Sequence, residues 1–249
     1  MNKHLLFLTI VTLAVSTFSY SQSGADQSSG VITYESKMNL HRRLTGEQEG
    51  MKAMVPEFRI TNFRLAFNGL TSLYKPILED EEEEMGSGGM RIQMRQPYSE
   101  NYTDAGNHTT TRMVEFMGKE YLIEDSLTIQ PWKLGDEVRE INGYNCRMAY
   151  YTDTTNNNTL EITAWYTMEL PPFIGPERFN TLPGTVLAVD FNNGERVILA
   201  RDIVFRELRK NEIKKPEKGT KVTEEEYRKL VEEQIERMRH GGGRMMIRN

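Results

Sequence analysis

Four short turn signals divide this chain between runs of alternating apolar and polar residues: Asn68-Gly69, Met117-Gly118, Asn142-Gly143 and Asn192-Asn193-Gly194. Asn-Gly and its relatives tolerate the positive φ that tight hairpin turns demand. "TNNNT", residues 155–159, adds a fifth turn between "YNCRMAYYTD" and "LEITAWYTME". Turns at this spacing predict consecutive antiparallel strands, because parallel strands need a crossover of a dozen residues or more.

The runs between the turns carry period two. In "VITYESKMNL", Ile32, Tyr34, Met38 and Leu40 share one face, while Thr33, Glu35, Lys37 and Asn39 share the other. "FRLAF" places Phe63, Leu65 and Phe67 together. A polar second face marks half-buried strands of an antiparallel sheet. "TGEQEGMKAMVPEF" predicts a short helix, weakened by Gly46 and Gly50 and stopped by Pro56. The one strong helical signal comes last. Thr223 and Glu226 form a capping box, and Tyr227, Leu230, Val231, Gln234 and Met238 make a stripe over 223–240. The expected fold is mainly β: a single domain of curved antiparallel sheet, an open or partly closed barrel, with a C-terminal α-helix on or beside it. The expected domain spans residues 31–240.

Residues 1–21 read as a secretory signal. Met1 to Lys3 is short and basic, Leu5 to Val15 is apolar, and Ser19 and Ser21 fit cleavage before Gln22. No Cys follows the apolar run to accept a lipid anchor. A periplasmic or secreted location is expected. Residues 22–30 form a polar lead-in, and 241–249 a Gly-rich tail that cannot continue the helix. The net charge of −5 argues against a nucleic-acid partner, since phosphate binding needs a basic face. A single cysteine, Cys146, excludes an internal disulfide framework. It is expected to be a buried strand residue.

No catalytic residue is expected. There is no Gly-x-Ser-x-Gly, and His41, His108 and His240 sit in separate segments. The acidic run Glu79 to Glu84 reads as a solvated loop, without the spacing of an ordered calcium loop. Met85, Met90 and Met94 cluster beside glycines; thioethers suit Cu(I), so they form a candidate soft-metal site. No cofactor is expected. The aromatic and apolar residues Phe63, Leu65, Phe67, Tyr74, Trp132, Trp165 and Tyr166 either line an apolar ligand cavity or fill a packed core.

Three segments in order, "WKLGDEVREINGYNCRMA", "AWYTMELPPFIGPERFNTLPGTVLAVDF" and "EIKKPEKGTKVTEEEY", resemble the GLPGLI family. The motif residues are Gly175, Pro176, Leu182, Pro183 and Gly184, with Thr181 in place of the first Gly and Thr185-Val186 in place of Leu-Ile. The resemblance implies an exported protein of a Gram-negative envelope and carries over no catalytic residue. The order of strands also looks like that of periplasmic lipoprotein carriers. The motif itself reads as a structural corner, with Gly184 supplying the positive φ of a type II turn after Pro183. On these grounds the chain is expected to be a non-enzymatic binding protein for an apolar or amphiphilic ligand such as a lipid. An accessory protein of an outer-membrane assembly and a copper binder are the alternatives.

Overall fold

In the structure, a computed structural model, residues 27–44, 46–78, 98–154 and 159–241 are described. Twelve strands form one sheet. The first six are β1 (Ser29–Asn39), β2 (Phe58–Asn68), β3 (Thr71–Pro76), β4 (Ser99–Asp104), β5 (Thr109–Phe116) and β6 (Lys119–Ser126). The next five are β7 (Lys133–Ile141), β8 (Tyr144–Asp153), β9 (Leu160–Thr167), β10 (Thr185–Phe191) and β11 (Arg196–Phe205). The short β12 (Thr220–Val222) leads into the helix α1 (Glu224–Gly241). The spatial order is β12-β6-β5-β4-β3-β2-β1-β11-β10-β9-β8-β7. Two antiparallel meanders, β1 to β6 and β7 to β11, are thus stitched together where β1 pairs with β11.

The described hairpin signals operate as the sequence predicts, while residues 155–158 of the fifth turn lie outside the described residues. Met117 and Gly118 adopt φ of 53° and 73°, and Asn142 and Gly143 adopt 51° and 80°. These are the left-handed pairs that close two-residue hairpins with the twist of their strands. The 46–53 segment is a 3₁₀ helix, and the capping box of α1 forms: Glu226 N–H donates to Thr223 Oγ1 at 3.1 Å, and Thr223 N–H donates to Glu226 Oε2 at 2.8 Å. Strand β12, parallel to β6, carries no periodic signal of its own at three residues.

Chain connectivity forces the sheet to bend. β6 and β7 stand ten strand spacings apart in the order, so a flat sheet would separate them by roughly 48 Å at ~4.8 Å per spacing. Only residues 127–132 join them. Seven Cα steps reach at most about 25 Å. The sheet must therefore curl into a bowl whose two ends approach each other without pairing. We call 127–132 the strap.

The concave face holds the core. Gly30, Ile32, Tyr34 and Ser36 of β1 are buried, and Tyr34 and Ile32 stand opposite Phe63 and Leu65 of β2. What covers this face is the 168–184 connection between β9 and β10. Leu170, Ile174, Phe179 and Leu182 from it are all buried in the same cluster as Tyr34, Phe63, Tyr166 and Val186. Two irregularities in the ladder are capped from afar. The register shift in β10 lies at Val186, whose carbonyl accepts from the buried Tyr34 Oη at 2.7 Å. The shift between β1 and β11 lies beside Ala200, whose carbonyl accepts from Asn142 Nδ2 at 2.9 Å. A bulge disrupts the local ladder, and a buried carbonyl without a donor costs about 1–3 kcal/mol.

The helix, expected on or beside the sheet, sits at its edge. Tyr227 meets the rings of Phe116 and Tyr121 at 6.1 and 5.9 Å, Leu230, Val231 and Gln234 are half-buried, and Ile235 is exposed. No helix among the described residues is long and apolar enough to cross a membrane.

Candidate functional site

The 168–184 connection begins with the apolar strand end of β9 and must return to the start of β10. It is held by backbone contact. Val186 N–H donates to Ile174 O at 2.8 Å, Thr185 Oγ1 donates to Pro171 O at 2.7 Å, and Ile174 bridges Thr185 in parallel. Its glycines act through space, not through φ. A Cβ on Gly184 would stand 2.1 Å from Thr167 O, and one on Gly175 would stand 2.2 Å from Phe179 O. Neither glycine has a positive φ; Phe173 and Glu177 do, at 60° and 53°. The expected type II turn with left-handed Gly184 is corrected accordingly: the residue is glycine because two backbones touch there. The motif residues Gly175, Pro176, Leu182 and Gly184 are buried and only Pro183 is exposed, so the expected corner is a packed plug.

The plug fills part of the bowl. Between it and strands β3 to β6 lies an open cavity of about 850 Å³. Ligand cavities commonly span roughly 300–1,000 Å³. Plug residues Glu177 to Asn180 line it, with Tyr74, Asn101, Thr103 and Arg112 from the strands, and the strap contributes Leu127, Thr128, Gln130 and Pro131. Strap and plug are tied together, since both Gln130 N–H and Trp132 Nε1 donate to Thr181 Oγ1, at 3.4 and 3.2 Å. The plug also reaches across to β4, where Asn180 Nδ2 donates to Thr103 Oγ1 at 2.9 Å.

Three buried polar atoms in this wall lack a hydrogen-bond partner: Tyr74 Oη, Tyr151 Oη and Asn180 Oδ1. Burial pushes the Tyr74 phenol well above its ordinary range, and the nearby Glu177 carboxylate adds to this. Its hydroxyl is therefore a committed donor near neutral pH. Burial also raises Tyr151, which lies beside the Arg178 guanidinium without a well-formed hydrogen bond to it. Asn180 Oδ1 is an acceptor. The ring of Tyr74 stacks on Phe63 at 4.9 Å and 8°, so the hydroxyl is held in place by the core behind it. Buried polar groups ordinarily find a partner, so these atoms set the lining of the cavity apart from the rest of the described interior.

The wall is also charged. Arg178 pairs with Asp153 at 2.8 Å and Arg43 with Glu195 at 2.8 Å; Arg196 pairs with Glu177, and Arg112 with Glu224 at the start of α1. A hydrogen bond from Asn192, together with Arg43, holds the Glu195 carboxyl below its usual range. No group of three or more His, Cys, Asp or Glu side chains suited to a metal ion occurs among the described residues.

The sequence-selected residues fall in three places. Leu65, Phe67, Trp165 and Tyr166 are packed in the core and do not line the cavity, and Trp132 is half-buried against it behind the strap. Phe63 and Tyr74 alone of that set reach the cavity wall. Met85, Met90 and Met94, with the acidic run 79–84, lie outside the described residues. Cys146 is buried, as expected, and burial pushes its thiol up to about 11. His41 Nε2 is held 2.8 Å from Val55 O, and His108 occupies an exposed hairpin tip with φ 54°. Glu177, Arg178 and Asn180 escaped the sequence analysis. The available signal was length: 168–184 is long for a connection between neighbouring strands, and long ordered connections tend to carry function.

A family model described as N-glycanase peptide, N-terminal domain, matches residues 86–229, more than half of the chain. The chain belongs to this N-glycanase N-terminal domain family. The matched residues include β4 to β11, the strap, the plug and the start of α1, and thus most of the cavity wall. Two solved structures of PNGF-II, in the P21 and C2 space groups, superpose with a TM-score of 0.54 at 18% identity. They cover 82% of this chain, while this chain spans 33% and 32% of theirs, about a third of their length. At that identity the likeness is one of fold. No curated protein matches. Two expectations are corrected by the N-glycanase membership: the family is a different one from GLPGLI, and the expectation of a non-enzyme falls, because the family is that of an enzyme's N-terminal domain.

Proposed function

We propose that this chain serves enzymatic removal of N-linked glycans, with the concave cavity as the place where the glycan is held. The observation that carries this reading is that two residues lining the cavity, Tyr74 and Asn180, each hold a buried polar atom, Oη and Oδ1, without a hydrogen-bond partner among the described residues. A buried polar group without a partner costs about 1–3 kcal/mol, and a ligand that supplies the missing bonds recovers it. A sugar ring offers hydroxyls that both donate and accept, and apolar C–H faces that lie against aromatic rings. The wall supplies both kinds of surface: Asn101, Thr103 and Thr110 beside Phe63, Tyr74 and Phe179. The ligand so proposed is polar, in place of the lipid the aromatic residues suggested, because of that set only Phe63 and Tyr74 line the cavity, beside many polar side chains. Membership of the N-glycanase N-terminal domain family supplies the reaction. Export through residues 1–21 is part of the proposal, since it would bring the chain to extracellular glycoproteins; N-terminal sequencing of the secreted protein should begin at Gln22.

Titration of the full chain with a neutral N-glycan oligosaccharide, followed by calorimetry or by amide shifts in NMR, tests this. Saturable binding with shifts confined to β3 to β6 and 177–180 is expected. Binding should weaken about tenfold in Asn180→Ala, the usual scale for one lost hydrogen bond to a buried group. Absence of binding, or binding indifferent to Asn180→Ala and Tyr74→Phe, would overturn it.

A further inference from the structure

The cavity carries many charges and almost no net charge. Among the described residues, four arginines and five carboxylates line it, with no lysine or histidine. Every one of the four guanidiniums is already matched by a carboxylate of the same wall: Arg43 by Glu195, Arg112 by Glu224, Arg178 by Asp153 and Arg196 by Glu177. The fifth carboxylate, Asp125, has no arginine partner among the described residues and accepts only the Ser126 N–H at 2.7 Å. Glu177 is placed for its pairing by a left-handed backbone, φ 53°, which a non-glycine residue adopts at a cost of about 1–3 kcal/mol. Arg196 is held from its other side by the Phe191 ring at 5.0 Å. This pair is built into the wall.

We infer that the cavity selects uncharged glycan chains and discriminates against chains capped by an acid, such as sialylated, sulfated or phosphorylated ones. The inference rests on the glycan-holding reading above and names its substrate class. An anionic cap needs a free guanidinium, and here each one would first have to leave its carboxylate. The displaced carboxylate would stay close by, adding repulsion to that of Asp125. A hydroxyl meets no such obstacle. The pairs leave N–H donors and carboxylate lone pairs over, and a neutral polyol uses both without breaking either. Specificity here comes from a penalty on the wrong ligand as much as from contacts to the right one.

The test is a paired titration of the full chain with a neutral complex-type oligosaccharide and with the same oligosaccharide bearing terminal sialic acids, at low and at high salt. The neutral form should bind about tenfold tighter at low salt, as one uncompensated charge at close range in a partly wet site implies, and the gap should narrow at high salt. Asp125→Asn should shift the ratio of the two affinities toward the acidic form by about threefold, and Glu195→Gln, which frees Arg43 at the exposed rim, should shift it further. Equal affinities, or tighter binding of the sialylated form, would overturn the selectivity and leave the glycan-holding reading standing. Failure of both sugars to bind would overturn both.

Discussion

The concave face of the bowl has two halves that share one sheet and differ in what they bury. Under β1, β2, β9 and β10 the inward residues are Ile32, Tyr34, Leu65, Ala164, Tyr166 and Val186, with the plug packed over them, and Phe63 stands at the boundary where it reaches the cavity wall. Under β4 and β5 the inward positions become Asn101, Thr103, Thr110 and Arg112, the plug stops, and the cavity begins. Backbone pairing runs on through β2, β3, β4 and β5 without a register shift. The change of side-chain chemistry along one face thus decides where packing ends and the cavity starts. Tyr34 Oη, under the plug, is paired with Val186 O, whereas Tyr74 Oη and Asn180 Oδ1, buried atoms of residues that line the cavity, have no hydrogen-bond partner among the described residues.

The sharpest way to break this contrast is to remove the plug's anchor. Phe179 packs edge-to-face on Phe191 at 5.3 Å and near Trp132 at 6.3 Å, and is 1% exposed. Phe179→Ala should cost about 3–5 kcal/mol in chemical denaturation, because the cavity it leaves lies between sheet and plug. Next in size is Gly184→Ala, whose Cβ would overlap Thr167 O, a backbone atom that cannot swing aside. A loss of about 1–3 kcal/mol is expected, and the same substitution at Gly143, whose surroundings are open, should cost less despite its φ of 80°. Equal losses at the two would mean that backbone conformation, not contact, limits both.

On the open side the effect on stability should change sign. Tyr74→Phe deletes a hydroxyl that has no partner in the free protein, so stability should hold or rise by up to about 1 kcal/mol while oligosaccharide affinity falls. Tyr34→Phe, on the sealed side, removes the donor to Val186 O and should destabilise. The two tyrosines differ by one hydrogen bond, and the pair of substitutions measures the contrast directly.

The smallest expected effect lies outside the bowl. Glu212 accepts hydrogen bonds from Arg206 and Arg64, and its carboxyl is held down to about 2. A carboxyl depressed in the folded state stabilises above its unfolded value and loses that contribution as pH falls. Stability from this group should therefore be complete above about pH 4.5 and decline toward pH 2. Glu212→Gln should flatten that part of the acid arm in melts recorded across the range.

Hairpins and strand alternation were legible because they are local: Asn142-Gly143 specifies its turn with no help from elsewhere. Burial on the concave face was half legible. Phe63, Leu65 and Phe67 announced an inner face, yet whether they lined a cavity depended on what lay above them. The element that covers the concave face was illegible, because the plug is held by backbone bonds that leave no periodic trace, while α1, which has the amphipathic stripe, sits beside the sheet. Gly184 was read for torsional freedom although its constraint is a contact with Thr167, distant from any dihedral signal. The cavity was illegible for the same reason. Asn180 and Thr103 meet only because β1 pairs with β11 and turns the two meanders toward each other.

The strap has a mechanical meaning as well. Residues 127–132 act as the chord of an arc, and a chord of fixed maximum length sets a minimum curvature for the arc it spans. The bowl cannot flatten by thermal breathing beyond what a fully stretched strap allows, and Thr181 fastens that strap at its middle and end. The strap therefore sets an upper limit on how far the two rims of the bowl can move apart.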